Sequence, residues 1–439
     1  MSNPITYLDQ AGQSRNSGLF GMLDMTAELA LGRRERLWAS VAAYGNGWDT
    51  EGRTSYAVLD ATGALLERYD RRTESAQDGL TADFGLGFRR VVQPQQHDFS
   101  VELRGRSNGS DNENRSLKEP LALQDELPDL PTELRLQEAE DGNRELILQV
   151  DYVRPFGEGG KLEAGYRGSV RTTENDWLLR LFSPAEAPEP GDASGGDFLH
   201  REQFHSAYLT LAQRFGRLSL QGGVRAELAS TRFEVGATGE GFDNDYTSIF
   251  PSVNLAYDLG GGRQARLTYS KRIERPHAVM LNPHVPTTDP LNRYAGNPHL
   301  QARYTHSLGM DLSWVLSAGN VRFAPYYRRT VDSWEQVREV DSAGVSTLTW
   351  QNIGSVEAYG ATVTASLRQI GRVGGFVSVS GYREVWDVSR LSLGYSSRAS
   401  FRWSASGNAS VNPLPGLFTQ VMVSYIPARE VPQGRISSA

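Results

Sequence analysis

The chain has 439 residues, with 45 Lys+Arg against 52 Asp+Glu, a net charge of −7 and a pI near 5.6. It lacks the basic excess of a nucleic-acid binder. A mean hydropathy of −0.45 and the lack of any apolar run of roughly 20 residues exclude a helical membrane protein, but not a membrane barrel, whose strands are only half apolar.

Zero Cys excludes a disulfide scaffold, a thiolate metal site and a Cys nucleophile together. The N-terminus lacks the basic-then-apolar pattern of a secretory signal, so an export signal, if the protein is exported, lies outside this chain. The 45 Gly, 18 Tyr, 16 Phe and 8 Trp indicate β structure rich in turns.

Strict period-two alternation runs from residue 19 onward. Leu80, Ala82, Phe84, Leu86 and Phe88 share one face opposite Thr81, Asp83 and Arg89, and Phe99, Val101 and Leu103 oppose Ser100, Glu102 and Arg104. The pattern returns as Leu162, Ala164, Tyr166 and Val170 opposite Lys161, Glu163, Arg167 and Arg171. Next, Leu218, Leu220, Val224 and Leu228 oppose Arg217, Gln221, Arg225 and Glu227. Tyr359, Val363 and Leu367 then stand opposite Thr362, Thr364 and Arg368, and Phe401, Trp403 and Val411 opposite Arg402, Ser404 and Asn408.

This reading gives sixteen strands in eight hairpins: 19–31 with 36–48, 80–92 with 97–108, 143–154 with 161–173, and 203–214 with 217–231. The remaining four are 247–258 with 263–275, 303–315 with 320–330, 355–368 with 373–386, and 397–411 with 416–428. Within hairpins the links are tight and made of breakers, such as GEGG at 157–160, GGG at 260–262 and NPLPG at 412–416; between hairpins they are mostly long and polar. Short turns therefore collect at one end of the strands and long loops at the other.

Strands in soluble sandwiches average about 5–6 residues, and these are about twice as long, close to the roughly 9–11 that cross a bilayer at a tilt. No 20- to 50-residue self-similar repeat supports a β-helix or propeller. The expected fold is an all-β, antiparallel up-and-down transmembrane β-barrel, with apolar side chains facing lipid and polar ones facing the lumen.

The acidic stretch 109–142, with ten acids, three bases and a net charge of −7, reads as a solvated loop, or less readily as a divalent-cation trap without ligand spacing. The seven His (97, 200, 205, 277, 284, 299 and 306) show no metal-binding spacing, and there is no G-x-S-x-G elbow. No catalytic residue, metal site or cofactor is expected, and the lumen Arg and Glu read as a hydrated charge ladder.

Residues 250–300 carry a more specific signal: Phe250-Pro251-Ser252, Tyr269-Ser270-Lys271-Arg272-Ile273 with Arg275-Pro276, Leu281-Asn282-Pro283, Asp289-Pro290, and Gly296-Asn297-Pro298 with Leu300. Downstream come Tyr326-Tyr327, Asn352 with Gly354, Tyr425 with Pro427, and Gln433-Gly434-Arg435. In these residues the chain resembles the outer-membrane β-barrel domain of TonB-dependent receptors, departing from it at Ala302-Arg303, where the family often has Pro-Glu.

The resemblance implies a site in the bacterial outer membrane, uptake of an unknown small ligand, contact with outer-membrane lipid, and an inner-membrane energy-coupling protein acting through an N-terminal plug. It also implies a barrel of about 22 strands. On that reading residues 1–18 are an N-terminal segment or partial strand. Residues 19–439 are then a barrel domain incomplete at its C-terminus, with the plug outside this chain. An outer-membrane scaffold or adhesin without a transport cycle is the alternative. Prolines at 276, 283, 286, 290 and 298 should shape an extracellular loop, and Arg272, Arg275, Asn282 and Asn297 are the candidate ligand contacts.

Overall fold

The computed structural model describes residues 6–93, 97–121, 133–182, 193–236, 238–283, 292–340, 345–390, 398–414, 416–431 and 434–436. The acids Asp125, Glu126 and Asp129, His284, Pro286, Asp289-Pro290, Gln433 and most of the 93–96 turn lie outside the described residues.

The strands are β1 (Thr6–Ala30), β2 (Glu35–Asp60), β3 (Leu65–Gln93), β4 (His97–Pro120), β5 (Glu133–Phe156), β6 (Gly160–Phe182), β7 (Ala193–Phe215), β8 (Leu218–Val235), β9 (Glu240–Gly260) and β10 (Arg263–Glu274). After the short helix α1 (Ala278–Leu281) come β11 (Asn292–Ala295), β12 (Arg303–Leu316), β13 (Gly319–Val340), β14 (Ser346–Ile370), β15 (Val373–Asp387), β16 (Arg398–Leu414) and β17 (Leu417–Tyr425). A small separate hairpin, β18 (Arg429–Val431) with β19 (Gly434–Ile436), follows. Every one of the sixteen expected strands is present, and each pairs antiparallel with its neighbour in chain order, so that β1 and β17 form the edges of one sheet.

The two faces of this sheet differ chemically. On β8, Leu220, Val224 and Leu228 are exposed on the outer face, whereas Glu227, Ala229, Phe233 and Val235 are buried on the inner one. Polar side chains pair across the inner face: Arg106 with Asp83 at 2.6 Å, Tyr208 donating to Asp151 at 2.6 Å, and Thr362 to Ser380 at 3.1 Å. The outward set is a lipid-facing belt and the inward set lines a wet lumen, because only that parity leaves no bare charge in hydrocarbon.

The strands run well past that belt. β3 has 29 residues, an extended length of roughly 95 Å at about 3.3 Å per residue, several times what lipid requires. Alternation stops at Leu80 on this strand because both faces are wet beyond it, yet the backbone ladder continues, with Glu74 opposite Glu51 and Arg115.

This corrects the reading of 109–142 as a loop. Residues 109–120 and 133–142 continue β4 and β5, placing Asp111 opposite Glu140 and Glu113 opposite Glu138. The crowded acids are relieved by Arg180, 3.3 Å from Glu138, by Asn175 donating to Asp141 at 2.7 Å, and by Arg72, 3.2 Å from Glu119. The β2–β3 link is likewise a tight turn at 61–64, in which Asp60 accepts hydrogen bonds from the Thr62 and Ala64 amides at 2.8 and 2.9 Å. Gly216, with φ 58°, makes the two-residue turn between β7 and β8.

Candidate functional site: a strap on the inner face of the sheet

The described residues of the β10–β12 link, 275–283 and 292–302, leave the antiparallel ladder, and their composition explains why they fold inward. Met280, Leu281 and Leu300 are apolar and would be exposed in an outer loop. Instead they join Phe198 of β7, Phe233 and Val235 of β8 and Trp334 of β13 in the largest buried cluster among the described residues. Pro276 and Pro298 flank the segment, and their missing amides demand no ladder partner. At its far end β11 adds to β14 in parallel, pairing Asn292–Ala295 with Ser346–Thr349 above the point where β15 ends at Asp387 opposite Ser355. The segment is a strap tying the β7–β8 wall to the β13–β14 wall.

Two asparagines pin the strap. The Asn297 amide donates to the Trp350 carbonyl at 2.9 Å, while its side-chain oxygen accepts the His299 N–H at 3.0 Å. Asn352 donates to the carbonyls of Gln301 (3.2 Å) and Asp332 (2.7 Å) and accepts the Gln301 N–H at 3.0 Å. The Asp332 contact holds a β-bulge whose φ is 55°. Asn282 is buried, with its backbone joined to Ala278 at 3.0 Å and Gly296 at 2.8 Å.

A cavity of about 420 Å³ lies between the strap and the β7–β9 wall, lined among others by His200, Glu202, Phe233, Asn244, Tyr246, Arg275, His299 and Gln301. Two buried carboxylates on the adjoining wall are paired with cations. Glu227, 6% exposed, takes the Arg275 guanidinium, which also donates to the Tyr246 hydroxyl and stacks on Phe204 with 4.2 Å to the ring centre. Glu202, 3% exposed, accepts from Arg171 Nε at 2.6 Å, and His200 Nδ1 stands 3.9 Å from it. His200 lies beyond the lipid belt. Burial holds its imidazole below the usual range, Glu202 opposing and Arg171 adding to that effect. The result is a cavity with aromatic faces from Phe233, Tyr246 and Phe242, the last edge-on to His299 with 5.1 Å between ring centres.

Of the four sequence candidates, the strap contains Arg275, Asn282 and Asn297. Only Arg275 lines the cavity; Asn297 anchors the strap, and Arg272 is exposed on β10 outside it. His200, Glu202, Glu227 and Tyr246 were not singled out by sequence. Glu227 carried a usable signal, an acid on the lumen face, but its partner Arg275 is 48 residues away. Among the described residues no three His, Asp or Glu converge on a metal position.

Residues 92–439 match the sequence family described as "Outer membrane protein beta-barrel family". None of the curated proteins matches the sequence. Among solved structures, the copper transporter OprC is similar at 12% identity and a TM-score of 0.59, over 100% of this chain and 72% of that one. The siderophore receptor PiuA from Acinetobacter baumannii is similar at 10% identity and a TM-score of 0.54, over 100% and 74% of the two chains. At these identities the likeness is one of fold.

Proposed function

The chain belongs to the outer membrane protein β-barrel family of Gram-negative outer membranes, and from that premise we propose that it is the barrel portion of a TonB-dependent receptor that binds and imports a scarce nutrient. The observation that carries this reading is the strap. In a segment whose sequence resembles such receptors, the described residues pack on the inner face of the wall and border an aromatic-lined cavity. The cavity lies within the roughly 300–1,000 Å³ range of small-molecule sites. A ligand entering from outside would meet this cavity, and an energy-coupling protein acting through a plug would drive release inward.

OprC is a copper transporter and PiuA a siderophore receptor, so copper ions and a ferric siderophore are the first probes. Asn244→Trp fills the cavity from its rim. In the full-length protein it should weaken binding of whichever probe binds by at least about tenfold. Equal affinity in the variant would remove the cavity from the account.

A further inference from the structure

β13 and β14 are irregular at the same height, beside the end of the strap. Pairing passes from Val331 with Ser355 to Ser333 with Gly354 and then to Trp334 with Asn352, so that Asp332 on one strand and Ile353 on the other are left out of the ladder. Asp332 has a φ of 55°, the one positive φ outside glycine among the described residues. A residue with a side chain keeps that left-handed conformation only where its surroundings impose it. Gly354 has a φ of 118°, and a Cβ there would come within 2.7 Å of the Asp387 carbonyl oxygen at the end of β15.

The groups that hold Asp332 lead to two different links. Its carbonyl accepts the Asn352 side-chain amide at 2.7 Å, and that amide also donates to the Gln301 carbonyl of the strap at 3.2 Å. Its carboxylate accepts Arg390 Nη1 at 2.5 Å, three residues past the end of β15. The β15–β16 link opens with a tight turn in which Asp387 accepts the Ser389 N–H at 3.1 Å. Val388 of that turn is buried in one cluster with Trp386 and Ile353. Asn352 and Ile353 are consecutive, so β14 grips the strap with one residue and the β15–β16 link with the next.

We propose that this paired bulge is a latch between the two links, so that the strap and residues 387–390 loosen together. Each link secures a different group of the same strained residue. When the strap leaves, Asn352 loses the Gln301 partner that fixes its side chain, and the Asp332 carbonyl loses its donor. The backbone is then free to leave the left-handed well and carry the carboxylate away from Arg390. The reverse path starts at Val388 and Arg390 and ends at the Asn352–Gln301 pair, because coupling between two sites is reciprocal. Whatever orders the strap therefore orders the start of the β15–β16 link as well, whether or not the cavity beneath is a ligand site.

Native-state amide exchange on the full-length reconstituted protein tests the latch at two amides, Gln301, whose N–H is bound to Asn352 at 3.0 Å, and Ser389. As sub-denaturing urea is raised on wild type, their protection factors should fall together and agree within about threefold, while the β5–β6 ladder stays protected. Val388→Ala/Arg390→Gln leaves the strap and Asn352 intact, and should accelerate exchange at Gln301 as well as Ser389 by at least about tenfold. Heat-modifiable migration checks that this variant is folded; if it is not, the wild-type comparison decides. Two amides that open at different urea concentrations would overturn the latch, as would a variant in which Ser389 speeds up and Gln301 does not. Unchanged exchange at both amides overturns it too, since the contacts at Val388 and Arg390 would then hold neither link.

Discussion

Arg275 concentrates the chemistry of the strap in one side chain, because it neutralises a carboxylate that water barely reaches. Removing it by Arg275→Ala leaves Glu227 buried, with Arg225 3.9 Å away as its remaining cation, and should cost roughly 3 kcal/mol of folding stability. Denaturant unfolding of the reconstituted protein would show this, and adding Glu227→Gln in the same chain should recover part of the loss. The type of residue at 275 was legible in the sequence as a lumen cation; its partner was not. The strand carrying Glu227 and the segment carrying Arg275 meet only after β9 and β10 have folded between them. Arg272, three residues earlier and identical in type, remains exposed because it lies on the regular ladder of β10, before the chain turns inward.

At the scale of elements, β10 to β14 show where sequence patterning works and where it stops. Alternation located every membrane-crossing strand, since lipid on one side and water on the other impose it. It could not mark β11, four residues long and paired in parallel at a vacant stretch of the β14 edge. Nor could it distinguish an outer loop from an inward strap; the apolar side chains of Met280, Leu281 and Leu300 were visible, but not the Phe198, Phe233 and Trp334 surface that receives them. The strap should depend on Asn352 more than on any apolar contact, since this one side chain satisfies backbone groups on both the strap and the bulge. Asn352→Ala removes three hydrogen bonds and should destabilise the strap by about 1–3 kcal/mol. Amide exchange should then accelerate at Gln301 and leave the β5–β6 ladder unchanged; uniform acceleration would argue against a separately anchored element.

For the whole molecule, the determining property is that one sheet presents hydrocarbon-compatible and water-compatible faces over the height of the belt and two wet faces above it. Leu228→Arg should therefore cost about 2–4 kcal/mol in lipid, while Gln221→Arg, on the opposite parity of the same strand, should be close to neutral. Folding titrations into liposomes would compare the two, and a reversed order would invert the assignment of lumen and lipid for β8 and its neighbours. The tall outer wall was the feature least legible in sequence, because no hydrophobic contrast accompanies strands that are wet on both sides; the acidic 109–142 stretch looked like a loop for that reason.

The most direct measurement of the central claim is uptake by cells carrying the full-length protein, using a probe shown to bind it, with the inner-membrane energy-coupling protein present or deleted. Accumulation that stops on deletion while surface binding persists is the predicted result. Accumulation unaffected by deletion would contradict it.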